Sequence, residues 1–299
     1  MPVLDVEGLQ RYRQATYRLS RTRRLRTSRA AVEFVNERGF VFFWPVKGVE
    51  LPSMWTAVAG DRPVADAHDD PGHVTWGWKD DALGRRVWYY GKVLCKRATM
   101  ISMRTAPFFY ALSDNMGDPE ADYLLSYQEG RLGYAAMRVY EALLREGPLS
   151  TVDLRGAAGL RSSRQAEFAG ALAQLQADFK ILPVGVADAG ARHYSHVYEI
   201  VARHWPALAE RARRISESAA RRRLLRIYVT SVGAVPLTGV LRLFGWSRDA
   251  TRGAVDALTR NRTLRKAARP GSSDEWIAIP ALCLPERSKV TGRPSGGVM

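Results

Sequence analysis

The sequence is poor in cysteine and lysine, and it lacks the common catalytic signatures. Its two cysteines, Cys95 and Cys283, can form neither a disulfide framework nor a four-ligand zinc site. No apolar run approaches the ~18 residues of a membrane span, and the first residues carry no apolar stretch of the secretory kind. There is no G-x-x-x-x-G-K-[ST] phosphate cradle, no H-E-x-x-H, no C-x-x-C and no G-x-S-x-G, so neither a metal nor a cofactor is expected. What remains is a soluble, cytoplasmic protein with no membrane partner. Hydrophobic residues at 46% and charged residues at 25% exclude a disordered or fibrous chain, and 299 residues suffice for two or three small domains.

Positive charge is what the sequence has in excess. Lys plus Arg number 45 against 30 Asp plus Glu, a formal charge of +15, and only seven of the 45 are lysines. A charge so far from zero calls for a polyanionic partner. The guanidinium fork matches phosphate oxygens and stacks on bases, which favours nucleic acid. A GC-rich coding sequence also raises the arginine share, but it does not create a net charge. A polyanionic membrane surface would satisfy the charge, yet no amphipathic helix ends in an aromatic anchor.

One internal repeat, at an offset of 86 residues, organises the second half of the chain. It lays Gly147 on Gly233, Gly159 on Gly245 and Ala171-Leu172 on Ala257-Leu258. In the first copy Ala136, Tyr140, Leu143 and Leu144 predict a helix that stops at Gly147-Pro148. A short helix over Thr151 to Ala158 follows, then a third from Ser162 or Ser163 with Phe168, Leu172, Leu175 and Phe179 on one face. The hairpin-like runs Ile181 to Val184 and Tyr194 to Tyr198 close the copy. The second copy repeats the order: a helix lined by Leu225, Tyr228, Val229 and Val232, a short one over Leu237 to Phe244, and a third capped by Ser247. Its hairpin runs from Thr263 to Ala268 and from Trp276 to Ile279. Three helices and a hairpin in so short a span predict a winged helix, so the expected fold is α+β, mainly α, with tandem winged helices and hairpin wings.

The first 130 residues are less regular. Arg11 to Arg29 crowd one predicted helix, Ala31 to Glu37 a second, and Leu51 to Ala59 a short third. Phe40 to Trp44 is a dense apolar run, and Arg86 to Met103 reads as a strand pair. The expected division is an embellished winged helix over 1–130, further winged helices over 131–207 and 208–283, and a disordered tail over 284–299.

Several residues could carry chemistry or contacts. His68, Asp69, Asp70 and His73 would have to converge to hold a metal, and they lie in a Pro- and Gly-flanked loop. Glu33 and Glu37 share one helix face, as on many solvated helices. Candidate DNA contacts are Arg161, Arg164 and Gln165 at the third helix of the first copy, with His193 in its wing; His196 there is equally a strand histidine. In the second copy they are Arg248, Arg252, Arg260 and Arg262, continued by Arg265, Lys266 and Arg269. Trp44 and Trp55, in a region dense in aromatics, are candidate platforms for a base.

The chain resembles the AlkZ-like DNA glycosylases, a family of tandem winged helices linked to repair of alkylated or crosslinked DNA. The resemblance spans residues 9 to 282. It rests on the helix leading into Phe34-Val35-Asn36-Glu37-Arg38-Gly39-Phe40-Val41-Phe42-Phe43-Trp44-Pro45, on Leu51-Pro52-Ser53-Met54-Trp55, and on the repeated modules. It implies a metal-independent, monofunctional glycosylase acting on double-stranded DNA, damaged DNA included. Family members place a Gln-x-Gln or Gln-x-Asp motif where this chain has Phe42 and Trp44, and neither of these can orient water. Glu37, Glu50 and Asp69 are the acids that could stand in. The alternatives are a winged-helix DNA-binding protein without catalysis, such as a transcriptional regulator, and a protein–protein module.

Overall fold

The computed structural model describes residues 1–161, 165–188 and 194–285; Arg164, His193, Ser162 and Ser163, and the tail from 286 lie outside them. The chain opens with β1 (Val3–Leu4) and α1 (Val6–Thr16), whose N-cap Asp5 accepts a hydrogen bond from the Gly8 amide. A first unit follows: α2 (Ser28–Arg38), β2 (Phe40–Phe42), α3 (Met54–Ala59), α4 (Val74–Ala82), β3 (Trp88–Gly91) and β4 (Thr99–Ser102). Two short helices, α5 (Ala106–Tyr110) and α6 (Ala121–Gln128), lead to a second unit. That unit holds α7 (Tyr134–Glu146), β5 (Leu149–Ser150), α8 (Thr151–Ala157), α9 (Gln165–Ala177), β6 (Ile181–Ala187) and β7 (Ser195–Ile200). After α10 (Val201–His204) and α11 (Pro206–Arg213) comes a third unit: α12 (Glu217–Val232), β8 (Ala234–Pro236), α13 (Leu237–Phe244), α14 (Arg248–Arg260), β9 (Arg265–Ala268) and β10 (Glu275–Ala278). β11 (Cys283–Leu284) ends the described chain.

The fold is mixed α and β, and its three units share one plan. In each, the hairpin is antiparallel and the first strand joins the sheet beside the last, giving the orders β2-β4-β3, β5-β7-β6 and β8-β10-β9. A glycine (Gly39, Gly147 or Gly233) ends the leading helix of each unit. Gly233 sits at φ 82°, and a Cβ there would come within 2.8 Å of Leu9 and Tyr12, so a side chain would push α1 away. Serine caps recur as well: Ser53, Ser150, Ser216 and Ser247 each accept an amide hydrogen bond one turn on.

The units differ in how they bury their cores. The middle one packs Ala136, Tyr140, Leu143, Phe168, Leu172 and Leu175 against one another, as the helical spacing predicts, but Phe179 lies beyond the end of α9 at φ 54° and enters the core of the other two units with Leu182. The first and third share a single core in which Phe40, Phe42, Tyr89 and Ile101 meet Leu225, Tyr228, Val229 and Leu258. The other face of the first sheet (Val41, Phe43, Trp88, Tyr90 and Met100) covers a separate cluster with Phe34 and Met54. Burial on both faces explains the unbroken apolar run at Phe40–Phe43. Each buried ring stabilises the fold by ~1.5–3 kcal/mol relative to exposure.

Packing departs from divisions at 130 and 207. β1 lies between β9 and β11, Val3 pairing parallel with Ala268 and antiparallel with Leu284, so the N-terminus joins the third unit's sheet. Arg13 donates to the carbonyls of Val232 and Ala234 at 3.1 and 2.9 Å. At the other division, Val201, Trp205 and Leu208 belong to the shared core and not to the middle unit. The arginine-rich stretch is not one helix either. α1 ends at Thr16, Arg18 takes φ 59°, a 3-10 turn covers Arg21–Arg23, and α2 starts at Ser28.

Candidate nucleic-acid interface

Where the resemblance places the family's motif, the structure holds two aromatic side chains in different settings. Phe42 is the last residue of β2 and is fully buried in the shared core. Trp44 lies half-buried, edge-on to Phe43 at 5.1 Å and to Trp76 at 5.5 Å, and it lines a small cavity of about 280 Å³ with Pro45, Val46 and Arg97. Trp44 thus keeps access to solvent, but Trp55 does not. That ring is 0% exposed, donates through Nε1 to the Arg62 carbonyl at 3.0 Å, and lies 4.8 Å under the Arg62 guanidinium and 5.2 Å from His73. A base cannot stack on Trp55 in this arrangement.

The candidate acids are spread apart. Glu37 pairs with Arg18 at 2.7 Å, Glu50 pairs with Arg13 at 2.8 Å and accepts from Tyr17 at 3.4 Å, and Asp69 is exposed. Asp70 accepts from the Gly72 amide at 2.7 Å and from Arg62 at 2.6 Å, contacts that hold its carboxyl below the ordinary value, the Arg62 bond foremost. His73 is bound to the Ala65 carbonyl at 2.9 Å, so this loop organises the start of α4. No group of three His, Cys, Asp or Glu able to hold a metal occurs among the described residues.

On the third helices, Arg161 and Gln165 line a concavity with Arg155, whose guanidinium donates to Gln165 at 2.7 Å. Arg248 and Arg252 are exposed one turn apart on α14, and Arg260, Arg262 and Arg265 are exposed at and beyond its end. Lys266 is different: its ammonium pairs with Asp256 at 2.9 Å and Glu275 at 3.4 Å, and the bond to Asp256 raises its pKa. Arg269 covers Trp276 at 4.7 Å. Neither is a free cation of the hairpin.

A further cluster of open positive charge lies where α2, the end of β4, α11 and α12 meet. A concavity of about 420 Å³ holds Arg38, Arg104, Arg223 and Arg226, with Glu37 on its rim. A second, of about 470 Å³, shares Arg104 and adds Arg211, Arg214 and Glu210. Arg104, Arg214, Arg223 and Arg226 are exposed and meet no carboxylate among the described residues. Burial holds the half-buried Arg38 guanidinium below its ordinary pKa, and Glu37 opposes that shift. The i, i+3 spacing of Arg223 and Arg226 was a legible signal, since it sets both on one face of α12.

Two further clusters join units. Lys79 on α4 is 1% exposed, with its ammonium 2.5 Å from Asp80, 2.7 Å from the Tyr194 hydroxyl and 3.3 Å from His196 Nε2. The rings of Trp76, Tyr90 and Tyr194 surround it at 5.0–5.5 Å. Burial lowers the Lys79 pKa, and burial with the Lys79 charge brings His196 down to about 4. A cavity of about 590 Å³ opens where all three units meet, between the β3–β4 loop, the end of α9 and the end of α13.

A family model described as AlkZ related matches residues 25–240. None of the curated proteins matches the sequence. Among solved structures, Streptomyces sahachiroi DNA glycosylase AlkZ is similar in fold, with a TM-score of 0.56 at 12% identity over 93% of this chain and 71% of that one. The matched stretch takes in β2, the middle unit, all of α12 and the first half of α13, and the chain belongs to the AlkZ-related family.

Proposed function

We propose that the chain is a cytoplasmic, nucleoid-associated DNA-binding protein of three tandem winged helices, each of the three units being one. It acts on double-stranded DNA, and it does not hydrolyse a glycosidic bond at the family's motif position. The arginine groove carries this reading: Arg38, Arg104, Arg211, Arg214, Arg223 and Arg226 gather in two adjoining concavities with only Glu37 and Glu210 opposed to them. Guanidinium groups so placed match phosphates spaced along a backbone. Arg161, Gln165, Arg248, Arg252, Arg260, Arg262 and Arg265 add contacts from third helices and wings, the elements such modules present to DNA. If six to ten phosphates are neutralised, affinity for random duplex falls roughly 10³–10⁵-fold between about 50 and 200 mM salt. A flat salt titration would overturn the reading.

Absence of hydrolysis is supported by the two aromatic side chains at the motif, since glycosidic cleavage needs a carboxylate or amide to position water and stabilise cationic sugar. Glu37 is the acid best placed for a relocated reaction, because it borders the arginine groove. Incubation with N7-alkylated and crosslinked duplexes is expected to yield no abasic sites. Product that disappears in Glu37→Gln would establish the glycosylase alternative.

A further inference from the structure

The cavity at the meeting of the three units has features that core packing does not explain. Six non-glycine residues among those described adopt positive φ, and three of them (Cys95, Lys96 and Phe179) form its wall. Backbone held in this sparsely populated region clusters where a site is being shaped. Trp246 stacks on Phe244 at 4.2 Å with 9° between the rings and is itself only half-buried, so one indole face backs onto the core while the ring borders the cavity. Asp178, half-buried in the same wall, accepts from the Asn115 amide on its backbone carbonyl at 2.7 Å, while its carboxylate has neither a hydrogen bond nor an ion pair among the described residues. Burial raises its pKa although Lys180, Lys96 and Arg131 are near. Lys180 is satisfied by Asn115 at 2.8 Å and the Asp122 carbonyl at 3.0 Å; Arg221 and Arg242 border the opening from α12 and α13, Arg221 being paired at 2.7 Å with Glu217 of its own helix. Arg242 is anchored to the Gly48 carbonyl at 2.8 Å, which fixes its direction.

An aromatic face, an unused acceptor and guanidinium groups converge on one volume. We infer that this cavity binds a single nucleotide, its base against Trp246, its amino edge at Asp178 and its phosphate toward Arg221 and Arg242. The nucleotide is either free in solution or extruded from a bound strand, and the chemistry recognised is the same. Phe42 and Trp44 do not line this cavity, so the site is separate from the family's motif position. The free-nucleotide form stands without the DNA-binding reading, whereas the extruded form rests on it.

The test has two arms on the full chain. In the first, calorimetric titration with each nucleoside monophosphate up to about 10 mM is expected to saturate for at least one of them. In the second, a duplex carrying mismatched iodouracil is irradiated, and the crosslinked peptide is expected to contain Trp246. Trp246→Ala should weaken nucleotide binding or crosslinking roughly ten- to hundredfold, and Trp246→Phe should restore most of it. Asp178→Asn, which keeps the shape of the wall, should cost about tenfold. Affinity for undamaged duplex should stay unchanged in these variants, and thermal melting should stay unchanged in Trp246→Phe and Asp178→Asn. Saturation in the first arm identifies a soluble nucleotide; a crosslink without saturation identifies an extruded one. No saturation together with no crosslink at Trp246, or binding unaltered in both Trp246→Ala and Asp178→Asn, overturns the proposal. Failure of the wild-type chain to bind duplex at all would instead remove the arginine-groove reading, leaving the first arm to decide this one.

Discussion

The middle unit and the pair formed by the first and third units solve the same topology in different ways. Both use the same helix, strand and hairpin order, yet the middle unit keeps a core of its own and lends Phe179 and Leu182 to the common one in which the other two bury Phe40 and Tyr228. Burial mode therefore does not follow from topology. It depends on whether a sheet keeps one apolar face or two, and the first unit's sheet has two. The middle unit is tied to the first through Phe179, 4.6 Å from the Tyr89 ring, and through the polar and aromatic contacts that enclose Lys79 between α4 and β7.

Substitution in the two cores should give the largest contrast. Tyr228→Ala, in the shared core, is expected to destabilise by ~3–5 kcal/mol and to speed amide exchange in both outer units. Tyr140→Ala should have a similar local cost but leave the exchange of β2 and β10 unaltered. Equal acceleration everywhere would erase the distinction. Next in size, Asp80→Asn removes the carboxylate from a buried ammonium and should cost ~3 kcal/mol or more, while Lys79→Met should cost less because it removes the charge altogether. Thermal melting checks the order.

A charge-reversed groove separates binding from folding. Arg223→Glu with Arg226→Glu should weaken duplex binding by about two orders of magnitude at low salt and leave the melting temperature within a few degrees. The same reversal at Arg248 and Arg252 ranks the third helix against the groove. The smallest expected effect is a pH dependence. His196, held at about 4 in the fold, binds its proton more readily when unfolded. Its contribution is complete above the unfolded value near 6.5 and is lost as pH falls toward 4, an effect on the order of 1–2 kcal/mol. His196→Asn should flatten the melting curve between those limits.

How much of this could be read in advance differs by unit. In the third, Gly233, Gly245 and Ser247 punctuate the chain, and α13 runs over Leu237–Phe244 as the helical spacing predicts. The first unit hides itself. Burial on both sheet faces removes the period of two from Phe40–Phe43, and α4 carries Gly77 in its middle and no side-chain N-cap. The arginine groove and the large cavity were beyond local pattern because each draws on residues more than a hundred positions apart, as in Arg104 beside Arg223. Trp55 shows the converse limit, since composition cannot tell a ring locked under Arg62 from one open to a base.

The seating of Val3–Leu4 between β9 and β11 bears on the order of assembly. During synthesis Val3 and Leu4 have no strand to join until Ala268 and Leu284 have been made. The sheet of the third unit can therefore gain this strand only after about 260 further residues have been made, whereas the middle unit's strands lie within about 50 residues of one another and can pair well before that.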